Sequence, residues 1–184
     1  MTKILNVFNK VNFLRERYYK AAIGKEALIK LISETEVAEQ VYNSNAIENS
    51  TLTLEETEKI LLQIALDRFI TEREIFEAKN LARVVSYIDK RAKEQELNLE
   101  VILSLHKMLI SNIRDDVAGR FRKDNEYVRV GNHIAPHPEE TVDRLEKMLA
   151  GYNAASHENI IKRIAKLHLT FEHIHPFVDG NGRI

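Results

Sequence analysis

Near the end of the chain, nine consecutive residues, HPFVDGNGR from His175 to Arg183, concentrate side chains that can move a proton and hold a phosphate. His175 has an unperturbed pKa close to neutrality, as a group that deprotonates a hydroxyl nucleophile requires. Asp179 offers a hard oxygen ligand, and a Mg²⁺ ion is typically held by one or two carboxylates while substrate phosphates complete its shell. Gly180 and Gly182 can adopt backbone angles closed to other residues, so that successive N–H groups turn inward as an anion nest. Arg183 adds a planar fork of donors with fixed charge, suited to a phosphate that becomes more negative as a bond to it breaks.

A second set lies far upstream. Ser44, Asn45, Ala46, Ile47, Glu48 and Asn49 place Ser44 and Glu48 at i and i+4, on one face of a helix. A carboxylate brought to the phosphate seat would repel the terminal phosphate of a nucleotide. His168, His173, His175 and Asp179 also suggest a metal set for a hydrolase, but their spacing argues against it. Residues 173 and 175 point to different helix faces, and His168 lies nearly two turns earlier. His168 and His173 are expected to pack or to hydrogen-bond.

The elements that must position these groups are mostly helical, since apolar residues recur at three- and four-residue spacing and only six Gly and three Pro interrupt them. Helices are predicted over residues 25 to about 47, 53 to about 67, 72 to about 94, 98 to about 113, 139 to about 154, and 158 to 174. Thr53 and Glu56 form a capping box at the start of the second. The segment NEYVRVGNHIA, from Asn125 to Ala135, is the exception: Tyr127, Val128, Val130 and Ile134 favour extended backbone around a Gly131-Asn132 turn, which predicts a β-hairpin. Gly182, Arg183 and Ile184 read as the first turn of a helix that the chain does not complete, and the sequence is expected to be truncated there.

With 184 residues, 44% of them hydrophobic, one domain is expected over residues 1–184: an N-terminal helical region to about residue 50 and a core from 51 onward. The 27 basic and 28 acidic residues leave a formal charge of −1, so no global field holds nucleic acid or an anionic membrane. The absence of cysteine removes thiol catalysis and thiolate metal sites, and suits a cytoplasmic protein. No run of about 18 apolar residues predicts a membrane span.

His175 to Arg183 resembles the Fic family signature HPFxDGNGR at all eight fixed positions, with Val178 in the free one. The resemblance extends over residues 28–184 and includes the AGRFR of residues 118–122 and the LHKML of residues 105–109. It implies an all-helical Fic fold with a hairpin flap, and an enzyme that transfers AMP from ATP to a Tyr, Thr or Ser hydroxyl of a target protein. In that reading His175 is the general base, Asp179 holds Mg²⁺, and Phe177 anchors the loop. Gly180, Asn181 and Gly182 hold phosphate oxygens, and Arg183 neutralises the leaving pyrophosphate. The target is aligned at the flap between Asn125 and Ala135, and self-modification is a further expectation. The phosphorylating Doc branch carries Lys where Gly182 stands, which favours AMP transfer over kinase chemistry; UMP or phosphocholine transfer are the alternatives. Ser44, Glu48 and Asn49 are similar to the inhibitory pattern [S/T]xxxE[G/N] of class II Fic proteins, some of which use that Glu to remove AMP instead. The arginine that usually pairs with this Glu stands three residues beyond Arg183 in the family pattern, past Ile184. A noncatalytic regulator whose flap docks a partner strand is the rival from another class.

Overall fold

The computed structural model describes residues 2–155 and 159–184, with the side chains of the first helix described from Val7 onward. It divides into two compact units, Met1–Val37 and Ala38–Ile184. The first holds α1 (Thr2–Ala22) and the beginning of α2 (Glu26–Ile47). A turn joins the two helices, with Gly24 at φ 73° and the Lys25 N–H donating to the Ala22 carbonyl at 2.9 Å.

The second unit contains the rest of α2, then α3 (Leu54–Leu61), α4 (Glu72–Arg91), α5 (Leu99–Ile110), the strands β1 (Arg129–Val130) and β2 (His133–Ile134), α6 (Thr141–Ala154) and α7 (Ile160–Ile174). The architecture is all-α with one two-stranded antiparallel sheet, as the sequence predicts. Helix α4 packs on α3 and on α5, and α6 packs on α7. Ile102 of α5 meets Leu145, Met148 and Leu149 of α6, Phe171 and Ile174 of α7, and Phe177 in one buried cluster. None of the described helices is long and apolar enough to cross a membrane.

The predicted capping box forms: Glu56 N–H donates to Thr53 Oγ1 at 3.2 Å, and Thr53 N–H to the Glu56 carboxylate at 2.8 Å. The helix it starts ends at Leu61, six residues before the predicted end near Asp67. Gln63 there takes φ 58°, its N–H bonds the Ile60 carbonyl and the Ile64 N–H bonds the Lys59 carbonyl. That pair of bonds is a Schellman ending, which usually has glycine at the left-handed position, so a glutamine there gives no sequence signal. Helix α5 likewise stops at Ile110 and not Ile113, where the buried Asn80 donates to the carbonyls of Leu109 and Ser111 at 2.9 and 2.7 Å. A second capping box, Thr71 with Glu74, starts α4. Helix α7 is described from Ile160, and the predicted start at Glu158 lies outside the described residues.

Candidate active site

The signature loop begins where α7 ends. His175 closes the helix in the left-handed conformation, φ 48° and ψ 63°, and its N–H still bonds the Phe171 carbonyl at 2.8 Å. For a residue with a Cβ this conformation costs about 1–2 kcal/mol, so something must hold it. Arg122 does so. Its buried guanidinium donates from Nε to the His175 carbonyl at 2.8 Å, from Nη1 to Glu126 O at 3.1 Å, and from Nη2 to Pro136 O at 3.0 Å and Ile174 O at 3.3 Å. The Arg122 N–H also donates to the Pro176 carbonyl at 3.0 Å. Burial lowers the pKa of Arg122, yet four carbonyl oxygens solvate the cation.

Past Pro176 the loop is braced from inside and beneath. The buried Asn181 amide accepts from the Phe177 N–H and donates to the Phe177 carbonyl, both at 2.9 Å. Its side chain is thus engaged with the loop itself. Phe177 is fully buried, stacked on His106 of α5 with ring centroids 3.7 Å apart, and the His106 ring reaches the Asp179 carbonyl. Gly180 sits at φ 82° directly against α5, where a Cβ would lie 2.8 Å from Ile110 Cδ1. Asn181–Arg183 then form a single 3-10 turn in place of the predicted first α-helical turn. The first N–H groups of such a turn have no partner within it.

Two side chains of this loop, Asp179 and Arg183, meet α4. Arg183, 2% exposed at its side chain, lies 3.2 Å from Glu77 Oε1 and 3.4 Å from Asp179 Oδ1. Its Nε is buried without a hydrogen-bond partner. Arg73, at the mouth, bridges Glu77 at 3.1 Å and Asp179 Oδ2 at 3.2 Å. Two arginines and two carboxylates therefore alternate in one network. Glu77 and Arg73 escaped the sequence reading because each is one charged residue among many on an amphipathic helix. Arg122 and His106 carried a signal, since both lie in the family framework segments. His175 Nδ1 is buried 3.7 Å from Glu172 Oε2, and burial pushes the imidazole pKa below its ordinary value, partly offset by the Glu172 charge.

The residues of the upstream pattern are brought to this loop. Helix α2 ends at Ile47, and Glu48 lies in the turn that follows, so Ser44 and Glu48 share no helical face in full. Asn49 takes φ 65°, its N–H bonds the Ala46 carbonyl, and the Ser50 N–H bonds the Asn45 carbonyl. This is a Schellman ending, and it explains a Gly or Asn after the glutamate. The turn presents the Glu48 carboxylate to Gly182, where an added Cβ would collide with Glu48 Oε1. Ser44 is half-buried, and the neighbouring Asn45 is buried with neither amide atom paired. Beyond the turn, Thr51 is fastened to Glu74 by its N–H and hydroxyl at 3.2 and 2.6 Å, and its carbonyl accepts from Arg68 at 3.1 Å. Arg68 also binds Glu56, whose carboxyl it holds at about 2.

The hairpin stands beside His175. Arg129 pairs with Ile134 and Val130 with His133, around Gly131 at φ 58°. His133 Nε2 donates to the His173 carbonyl at 2.9 Å, and the two imidazoles lie 4.1 Å apart. His173 therefore makes hydrogen-bonding and ring contacts, and among the described residues no three His, Cys, Asp or Glu side chains gather as a metal cage. Val130 and Ile134 are exposed.

With this geometry in view, residues 96–184 match a protein-family model described as the Fic/DOC family. Proteins named "Protein adenylyltransferase Fic" are among the relatives: that of Drosophila willistoni is 30% identical over 94% of this chain and 37% of its own length. That of Drosophila virilis is 31% identical over 79% of this chain and 30% of its own. The chain spans about a third of the length of such relatives. A solved structure of Fic-1 from C. elegans superposes with a TM-score of 0.84 at 24% identity, covering 99% of this chain and 54% of that one. A Fic family protein from Desulfovibrio desulfuricans gives 0.80 at 24% identity, covering 98% and 54%.

Proposed function

This chain belongs to the Fic/DOC family, and on that premise we propose that it transfers AMP from ATP to a Tyr, Thr or Ser hydroxyl of a target protein. One observation carries the reading: His175, Asp179, the Gly180–Gly182 backbone and Arg183 share one loop that α5 and Arg122 brace. With Nδ1 buried toward Glu172, Nε2 is the ring nitrogen left to take the proton of the attacking hydroxyl. That oxygen bonds to the α-phosphorus, the bond to the bridging oxygen breaks, and pyrophosphate leaves with the electron pair. The N–H groups of residues 180–182 would stabilise the charge, joined by the Arg183 guanidinium once it turns from its pairing with Glu77 and Asp179. Asn181 acts as a positioning residue through Phe177. The part-exposed Asp179 carboxylate fits a Mg²⁺ ion, which would polarise the phosphates when bound.

Glu48 is read as inhibitory. Its carboxylate lies over Gly182, where it would compete with and repel the terminal phosphate of ATP. The exposed hairpin, with Val130 and Ile134 on its surface, is the surface on which a target segment would add as a strand. The cytoplasm, with its ATP, is the expected setting, and no nucleic acid or membrane partner is invoked.

The experiment is incubation of wild type, Glu48→Gly and His175→Ala with Mg²⁺ and α-labelled ATP, followed by intact mass. Label and a one-AMP gain in Glu48→Gly, absent from His175→Ala, is the expected result. Equal labelling with and without His175 would overturn the reading. Parallel runs with UTP or CDP-choline, and with AMP-modified protein, decide between AMP transfer, the other transferred groups and AMP removal.

A further inference from the structure

We infer that His106 is a positioning residue that fixes the Asp179–Gly180 peptide plane, and with it the direction of the Gly180 N–H; this rests on the nucleotide reading of the loop. The ring is fully buried, and each nitrogen has one partner at 3.0 Å, the Gly119 N–H at Nδ1 and the Asp179 carbonyl at Nε2. A backbone N–H can only donate and a carbonyl can only accept, so one tautomer alone meets both: Nδ1 bare, Nε2 carrying the hydrogen. The plane of the ring is set by Phe177, which stacks on it at an angle of 6°.

Both ends of this relay require glycine. Gly119 has φ 72°, and a Cβ on it would lie 2.9 Å from Lys107 Cβ, so only glycine brings its N–H that close to α5. At the other end Gly180 has φ 82°. A glycine crosses between positive and negative φ at little cost, so the peptide before it is free to turn over unless its carbonyl is held. The peptide is trans, and its N–H therefore points away from its carbonyl. With the carbonyl drawn down to His106, the Gly180 N–H is directed to the opposite side, away from α5. Turning the peptide over would put a carbonyl oxygen where a phosphate oxygen needs a donor.

Two substitutions separate this role from simple packing. In His106→Gln the side-chain Nε2 reproduces the donor to Asp179 but abandons Gly119. In His106→Asn the Oδ1 reproduces the acceptor for Gly119 but cannot reach Asp179. The full chain would be compared by thermal unfolding, by the NMR signal of the Gly180 amide without nucleotide, and by equilibrium binding of Mg²⁺·ATP in the Glu48→Gly background. His106→Gln is expected to keep the single Gly180 signal and wild-type affinity. His106→Asn is expected to double or broaden that signal and to bind nucleotide about five- to tenfold more weakly, the worth of one donor, whatever the order of their melting temperatures. An unchanged Gly180 signal in His106→Asn, or affinity that simply follows stability, overturns the inference. Failure of the parent protein to bind Mg²⁺·ATP overturns the nucleotide reading instead, and the NMR comparison still decides the peptide orientation.

Discussion

The loop of residues 175–184 and the turn of residues 47–50 meet at Gly182, yet they are held in different ways. The loop is fastened by two buried side chains distant in sequence, Arg122 on the His175 carbonyl and His106 on that of Asp179, and by its own Phe177 in the core. The turn is an exposed helix ending closed by its own backbone, with Asn49 in a left-handed conformation and Thr51 tied down just beyond. Buried, multiply bonded groups open only with the whole fold, whereas an exposed helix end opens locally. The part that would do the chemistry is the harder to move, and the part that would restrain it is the easier.

The strongest challenge to this contrast is His175→Ala, which should lower AMP transfer by about 10²–10⁴-fold, the usual worth of a general base, with little change in melting temperature. Phe177→Ala should unfold the braced side: removing a fully buried phenyl ring costs about 3–5 kcal/mol, measurable in urea. Glu48→Gly should act oppositely, raising label incorporation without loss of stability, since Glu48 is exposed and its carboxylate, set against Gly182, makes no hydrogen bond or ion pair among the described residues. Asn49→Val should also raise incorporation, because a β-branched residue at φ 65° strains the turn by about 1–2 kcal/mol, whereas Asn49→Gly should leave it as it is.

The smallest effect expected is on pH dependence. The pKa of His175 is lowered by burial, so its base form persists to lower pH than that of an exposed histidine. The acid limb of kcat/KM should therefore fall below the ordinary value of 6.5, and an acid limb above it would contradict the buried setting. The stability sign follows: protonation is disfavoured in the folded state, so this group's contribution is lost as pH falls. At Glu126, held at about 2 chiefly by its hydrogen bond to Arg120, stabilisation is present above the usual carboxylate pKa of 4.5 and lost toward pH 2.

What was legible in the sequence divides along the same line. His175 to Arg183 form a dense local pattern, Thr53 with Glu56 a box of fixed spacing, and Gly131-Asn132 a turn, and each is written in adjacent residues. The second box, Thr71 with Glu74, was equally available. The early end of α3 was not, because Gln63 takes a conformation usually marked by glycine. Nor was the pairing of Arg183 with Glu77, or of Arg122 with four carbonyls, since such bonds depend on which helices pack together. The site's chemistry is local in sequence; its support is tertiary.

Arg122 also joins the hairpin to the signature loop, the two parts that the proposed reaction would use for acceptor and base. One guanidinium grips the carbonyl of Pro136, just past the hairpin, and that of His175. His133 adds a second tether from the hairpin to the last turn of α7. A polypeptide that adds to the hairpin and pulls it therefore loads the same fastening that keeps His175 in its left-handed pose. Were the hairpin to take up an acceptor as proposed, acceptor binding and base alignment would be mechanically one event, and an acceptor docked out of register would misalign the base as it bound.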